Sequence, residues 1–181
     1  LFAVVSRLTG QKGIDLIADA LPAFANRRLQ LVVVGAGDKG LLARIEGARP
    51  FDVVTQFVVD ENLAHRVYAA ADFFLMPSRF EPCGLGQLYA MAYGALPIVS
   101  PVGGLLDTVV DAEEPGGCGI VLDAVSAPAL ARGIERALAL FADRAHLQTV
   151  RTTAMHRRFP WTEAATRYRA LYGDTISSAT L

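Results

Sequence analysis

Short apolar runs rich in β-branched residues alternate along this chain with stretches whose apolar positions recur every three to four residues. The runs at Phe2–Ser6, Leu29–Val34, Val53–Phe57, Phe73–Met76, Pro97–Ser100 and Gly119–Leu122 are strand-length and nearly all apolar, the pattern of strands buried on both faces. Between them Ile14, Leu16, Ile17, Ala20, Leu21 and Phe24 fall at helical spacing, as do Leu41, Leu42 and Ile45. Leu63–Ala70 and Leu85–Tyr93 predict two further crossovers. After Ser126 the chain turns wholly helical, at Pro128–Leu140, Ala145–Met155 and Thr162–Leu171, with a weak tail from Asp174. Repeated strand-helix units predict an α/β fold with a mostly parallel sheet flanked by helices and a helical C-terminal region. Such a sheet collects its ligands in the loops that follow the carboxyl ends of its strands.

The chain has 181 residues, of which 52% are hydrophobic, enough for the core of one domain. Only 19% are charged, and 17 Lys+Arg against 18 Asp+Glu leave −1, so no global field draws in nucleic acid or an anionic membrane. Any bound anion must be held locally. No apolar stretch approaches the ~20 residues that cross a bilayer, and no basic-then-apolar leader opens the chain, so we expect a soluble, unsecreted protein. Leu1-Phe2-Ala3-Val4-Val5 reads as a buried strand from residue 2, the expectation for a domain cut from a longer chain. Cys83 and Cys118 are too few for a disulfide scaffold and lack a C-x-x-C partner. His65, His146 and His156 have no metal-ligand spacing, and we expect no metal and no cofactor.

Gly35-Ala36-Gly37-Asp38-Lys39-Gly40 satisfies the glycine pattern of a dinucleotide site. It follows the second strand, however, whereas that fingerprint belongs to the first, and Asp38 stands where pyrophosphate would rest. We read it as a tight strand-to-helix turn. The first loop, Ser6-Arg7-Leu8-Thr9-Gly10-Gln11-Lys12-Gly13, sets a guanidinium and an ammonium five residues apart among glycines that admit a close backbone approach. It is either a diphosphate cradle or a solvated loop. In the fourth loop, Pro77-Ser78-Arg79-Phe80-Glu81-Pro82-Cys83-Gly84-Leu85-Gly86-Gln87, the proline holds Glu81 out of helical geometry just ahead of a helix start. A carboxylate for sugar hydroxyls and amides for a phosphate then lie side by side. Arg79 and Asp107 either bond to neighbouring loops or face a ligand. His156-Arg157-Arg158 reads as a solvated helix end.

These residues carry a resemblance. Ser6-Arg7-Leu8-Thr9 with Gln11-Lys12-Gly13, Ala70-Ala71-Asp72, Pro77 to Leu85 with Gln87-Leu88-Tyr89, and Gly103-Gly104-Leu105 with Asp107-Thr108-Val109 resemble the bacterial glycogen synthases and plant starch synthases, retaining glycosyltransferases that use ADP-glucose. The likeness covers residues 1 to about 172. It implies the Rossmann-like C-terminal half of a two-domain, B-type glycosyltransferase fold: a donor domain at 1–173, a flexible tail at 174–181, and an N-terminal acceptor domain outside this chain. It further implies that Arg7 and Lys12 bind the ADP phosphates and offset leaving-group charge, that Glu81 holds glucose hydroxyls, and that Pro82, Cys83, Gly84, Leu85 and Gly86 line the donor. Its implied partners are ADP-glucose and an α-1,4-glucan acceptor, in a bacterial cytoplasm or, alternatively, a plastid stroma.

Two departures matter. Val59 stands where the family commonly has an aromatic residue that stacks on adenine, and Gly86 replaces a small hydroxyl residue. The Lys-Thr-Gly-Gly loop of the N-terminal domain is not in this chain. Trp161, Tyr168, Leu171 and Tyr172 form an apolar face that predicts either self-association or dependence on the N-terminal half outside this chain. The rival readings are a transferase using another nucleotide sugar, a non-catalytic sensing module, and, last, an NAD oxidoreductase.

Overall fold

A computed structural model describes residues 1–48 and 52–178, with the side chains at 174 and 176–178 excepted. Six strands, β1 (Phe2–Val5), β2 (Gln30–Val34), β3 (Asp52–Gln56), β4 (Phe73–Met76), β5 (Leu96–Val99) and β6 (Ile120–Val121), form one sheet in the order β3-β2-β1-β4-β5-β6. Every adjacent pair is parallel. The six sequence-derived strands all form, within one residue at each end. Phe73 and Phe74 at 1% exposure, with Ile98 and Leu96 at 0%, show why the central strands carry no polar alternation: both faces are covered.

The helices are α1 (Ile14–Ala20), α2 (Lys39–Gly47), α3 (Glu61–Ala70), α4 (Gly86–Tyr93), α5 (Gly103–Thr108), α6 (Ala127–Ala142), α7 (Arg144–His156) and α8 (Trp161–Ser178). The apolar repeat from Ile14 to Phe24 is not one helix. Pro22 lacks an N–H and cannot continue the α-helical ladder, so α1 stops at Ala20 and a 3-10 turn carries Leu21–Phe24. Helix α6 opens on a cap, with Ser126 Oγ accepting from Ala129 N at 3.3 Å, and α7 likewise on Asp143.

Helix α8 extends to Ser178, into the stretch expected to be a tail, and residues 179–181 lie outside the described ones. A glycine such as Gly173 weakens a helix interior by only about 1 kcal/mol and does not by itself end it. The helix exposes Trp161 at 87%, with Tyr168, Leu171 and Tyr172 also exposed. Among the described residues no helix is long and apolar enough to cross a membrane.

The strand order reverses between β1, which leads out to β2, and β4, which leads out to β5. At such a switch point the two crossovers leave on opposite sides and open a crevice at the carboxyl ends of the strands. The loops that flank it are 6–13 and 77–85.

Candidate functional site

Glycines in the first two loops set their spacing. A Cβ on Gly35 would lie 1.8 Å from the Ser6 carbonyl oxygen and one on Gly37 2.5 Å from that of Leu8, while Leu8 N donates to Ala36 O at 2.9 Å and Asp38 N to Leu8 O at 2.8 Å. The dinucleotide-like glycines therefore serve contact between loops. The helix end behind them is already occupied, because the Asp38 carboxylate accepts from Gly40 N at 2.7 Å and Leu41 N at 3.3 Å. The amides a phosphate would use at this α2 terminus are bonded to a carboxylate instead, in keeping with a tight strand-to-helix turn.

The first and fourth loops meet across the switch point. Gly13 adopts φ 69°, and a Cβ there would sit 2.1 Å from Pro77 O, so only glycine permits the approach. Arg79, open at the sequence level, makes a two-pronged ion pair with Asp15 (2.7 and 2.6 Å), and Arg79 N donates to Gln11 O at 2.9 Å. The guanidinium holds the Asp15 carboxyl below its usual range. Arg79 is thus a clamp between loops. Asp107 is exposed, with no side-chain partner among the described residues.

The clamp delivers Lys12 to Glu81. The Lys12 ammonium donates to Glu81 Oε2, which also accepts from Ser78 Oγ at 3.3 Å. Glu81 is 7% exposed, a carboxylate kept in the protein by a cation and a hydroxyl. Arg7 is exposed; its carbonyl accepts from Ser6 Oγ at 3.1 Å and Thr9 N at 3.0 Å, but its guanidinium has no hydrogen-bond or ion-pair partner among the described residues.

Two glycines behind Glu81 fix the backbone that follows. Gly104 N donates to Glu81 O at 3.0 Å, and a Cβ on Gly103 (φ 45°) would stand 2.3 Å from that carbonyl. Gln87, fully buried, donates through Nε2 to Cys83 O at 2.9 Å, to Gly84 O at 3.1 Å and to Thr108 Oγ1 at 3.2 Å. It pins the turn into α4, whose amino end has no side-chain cap. Sequence reasoning quoted Gln87 but gave it no role; the signal was a lone amide on an otherwise apolar helix face, three and four residues after the carbonyls it serves. Ser78 was likewise quoted without a role, and Tyr68 was missed altogether.

Arg7, Lys12, Glu81, Gly84, Leu85 and Gly86 all line one cavity of about 280 Å³, which also takes in Tyr68 and Tyr89. Pro82 and Cys83 are exposed beside it without lining it, and the Cys83 carbonyl is held by Gln87. A second cavity of about 280 Å³ adjoins it, bounded by Val34, Gly35, Val58, Val59 and Ala64, and shares Val5, Ser6 and Arg7 with the first. Arg7 thus stands between an apolar slot and a charged pocket. A larger cavity of about 550 Å³ opens at the amino ends of the strands near Leu1, Phe2 and Phe73. Its Arg27 is turned to Glu135 at 3.2 Å, and although Arg28 and Asp52 also line it, no helix amino end does among the described residues.

The histidines are accounted for locally. His65 meets Tyr93 OH at 3.0 Å, His146 the Ala112 carbonyl at 3.3 Å and His156 the Thr152 carbonyl at 2.7 Å. No cluster of metal-ligating side chains occurs among the described residues. In the 156–158 cluster Arg158 turns back onto the Met155 carbonyl, and Arg157 lies 5.9 Å from the Phe159 ring centre.

Residues 1–139 match the family described as "Glycosyl transferases group 1". The chain belongs to that family. It is 44% identical to the glycogen synthase of Rhodospirillum rubrum over 180 residues, 97% of this chain and 37% of that protein. Against the glycogen synthase of Acidiphilium cryptum it is 46% identical over 185 residues, 98% of this chain and 39% of the other. This group 1 glycosyl transferase chain therefore spans little more than a third of the length of the curated relatives it matches. Among solved structures it resembles the catalytic domain of starch synthase IV from Arabidopsis thaliana, bound to ADP and acarbose, with a TM-score of 0.84 at 31% identity over 97% of this chain and 38% of that one. Sucrose-phosphate synthase from Thermosynechococcus elongatus follows at 0.74 and 29%, over 98% of this chain and 45% of that one. The sheet is the Rossmann-like half of a B-type glycosyltransferase fold, as the sequence resemblance implied.

Proposed function

We propose that this chain is the donor-binding part of a glycogen synthase: it takes ADP-glucose, and in the longer protein the glucose passes to the non-reducing end of an α-1,4-glucan with retention of configuration. The observation that carries the reading is the cavity at the β1/β4 switch, where the unpaired Arg7, the Lys12–Glu81 pair and the uncapped start of α4 converge. The similarity to glycogen synthases and to a starch synthase bound to ADP and acarbose supports it.

The division of labour follows from charge. When the anomeric carbon–oxygen bond breaks, its electron pair stays on the diphosphate, and the new bond forms to the acceptor hydroxyl, whose proton leaves with the products. Fixed cations and amides aimed at the diphosphate meet that charge as it develops, so the leaving group needs no general acid of its own. Arg7 and Lys12 are those cations. Glu81, acceptor-only when ionised, takes the glucose hydroxyls, with Gly84, Leu85 and Gly86 along the wall and Pro82 and Cys83 shaping the turn. The nucleoside occupies the apolar slot between Val34 and Val58.

That slot gives a second reading its specific support. Val59, 88% exposed, presents no ring for a base to stack on, which favours weak discrimination among nucleotide sugars. Comparing affinities for ADP-, UDP- and GDP-glucose separates the two: a clear UDP or GDP preference sinks the ADP-glucose assignment. Binding without glucose transfer by the longer protein would favour a sensing module. We include in the reading self-association through the exposed aromatic face of α8, checked by sedimentation of Trp161→Ser beside the unsubstituted chain, and a cytoplasmic location.

A further inference from the structure

Tyr68 lies on α3 and is 5% exposed. Three rings fix its position: Phe74 at 4.9 Å between centroids, Tyr89 at 5.8 Å and Tyr93 at 6.3 Å, the last stacked within 14°. A phenylalanine would satisfy that packing. Tyr68 nevertheless carries a hydroxyl, which has no hydrogen-bond partner among the described residues and is not one of the fully buried unpaired atoms, so it opens on the cavity as a free donor. The side chain lines the charged cavity beside Arg7, Lys12, Glu81 and Gly86.

A phenol is an uncharged donor at neutral pH and repels no phosphate, and burial, with Tyr89 adding to it, pushes this one further up, to about 12. Phe74 is the shared floor: the Tyr68 ring packs on it, and a Cβ on Gly86, the first residue of α4, would stand 3.1 Å from its ring. The phenol and the uncapped amino end of an eight-residue helix therefore border the same space. Arg7 lines both cavities, whereas Tyr68 lines only the one farther from the apolar slot. In a ligand laid across Arg7, that far end is the phosphate more distant from the nucleoside.

We propose that Tyr68 is a further binding residue of this site, its O–H donating to an oxygen of the distal phosphate of a nucleoside diphosphate beside the first N–H groups of α4. The assignment rests on the donor-site reading above and adds to it the side-chain hydrogen bond that distinguishes a diphosphate from a monophosphate. Tyr68→Phe keeps the ring and removes only the donor, so its melting temperature should equal or exceed that of the unsubstituted chain.

The test is calorimetric titration of both proteins with ADP and with AMP. Loss of one hydrogen bond to a charged oxygen should weaken ADP about tenfold in Tyr68→Phe while AMP changes less than about twofold. Unchanged ADP affinity in Tyr68→Phe, with tight binding by the unsubstituted chain, overturns the role of Tyr68 and leaves the donor site standing. Equal weakening of ADP and AMP also overturns it, because the phenol would then act on the nucleoside or the fold. Failure of the unsubstituted chain to bind ADP at all overturns the donor reading and this one with it.

Discussion

Replacing Lys12 with Met removes the cation that keeps Glu81 inside the protein, and the cost can be worked from the pair's surroundings. Glu81 is 7% exposed, and after the change its only remaining side-chain partner among the described residues is Ser78 Oγ at 3.3 Å. Breaking a buried pair by removing one member costs about 3–5 kcal/mol. The Lys12 side chain is 18% exposed, so solvent reaches the site and the cost falls to or just below the bottom of that range, about 2–3 kcal/mol. For a chain of this size that corresponds to a fall of roughly 5–10 °C in melting temperature. Glu81→Gln removes the charge that needed compensation and leaves an ammonium able to turn to water, so it should cost about 1 kcal/mol. Lys12→Met/Glu81→Gln should then recover much of the loss, with a coupling of about 1.5–2 kcal/mol in the double-mutant cycle. Urea unfolding followed by far-ultraviolet circular dichroism reads all four proteins. Tryptophan fluorescence would mislead, because Trp161 sits 87% exposed on α8. Strict additivity, or a Lys12→Met protein within about 0.5 kcal/mol of the unsubstituted one, would refute the description of the pair as desolvated and mutually dependent.

Other outcomes follow from the loops and from one acidic cluster. Gly103→Ala places a side chain at φ 45° and 2.3 Å from Glu81 O, and should destabilise the chain by at least ~2 kcal/mol while weakening ADP; Gly10→Ala, with open space around it, should do neither, and equal urea midpoints for the two would contradict the packing described. Asp38→Ala removes the α2 cap and should cost about 1 kcal/mol in urea unfolding without creating affinity for NADH, whose binding would restore the dinucleotide reading. Burial alone would raise the Asp111 carboxyl, but bonds from Arg136, Val121 N and Glu113 N outweigh it and hold it below its usual value. A depressed folded-state value means that the stabilisation is present above the unfolded carboxylate range, about 3.9, and is lost as pH falls through the lower folded value. The melting-temperature gap between the unsubstituted chain and Asp111→Asn should therefore be full at pH 6 and close as pH falls toward 2; a gap independent of pH would contradict this.

The strands were legible because burial on both faces writes itself as uninterrupted Val, Ile, Leu and Phe, and little else produces such runs. Loop chemistry was legible where residue type restricts use: Arg7 with Lys12, Glu81 before a proline, and Asp38 where a phosphate would need space. What could not be read was which loops touch. Arg79 is equally at home facing a ligand or Asp15, and only the β1/β4 adjacency, which no local pattern encodes, brings the 15 and 79 positions within 2.6 Å. Gln87 was legible only in part: its carbonyl partners are local, but its contact with Thr108 of α5 depends on the fold. Tyr68 resembled core because its ring is core; only the cavity distinguishes its hydroxyl. The helix expected at Thr162–Leu171 runs on to Ser178, past Gly173, because a single glycine is too weak a signal to terminate a helix.

The most direct test of the account is titration of the chain with ADP before and after Arg7→Ala. The Arg7 guanidinium has no partner among the described residues, so its removal should leave the fold and melting temperature intact while ADP weakens at least about tenfold, the worth of one charge-assisted contact. ADP affinity unchanged by Arg7→Ala, or no ADP binding by the unsubstituted chain, would contradict the assignment of this crevice as the donor site.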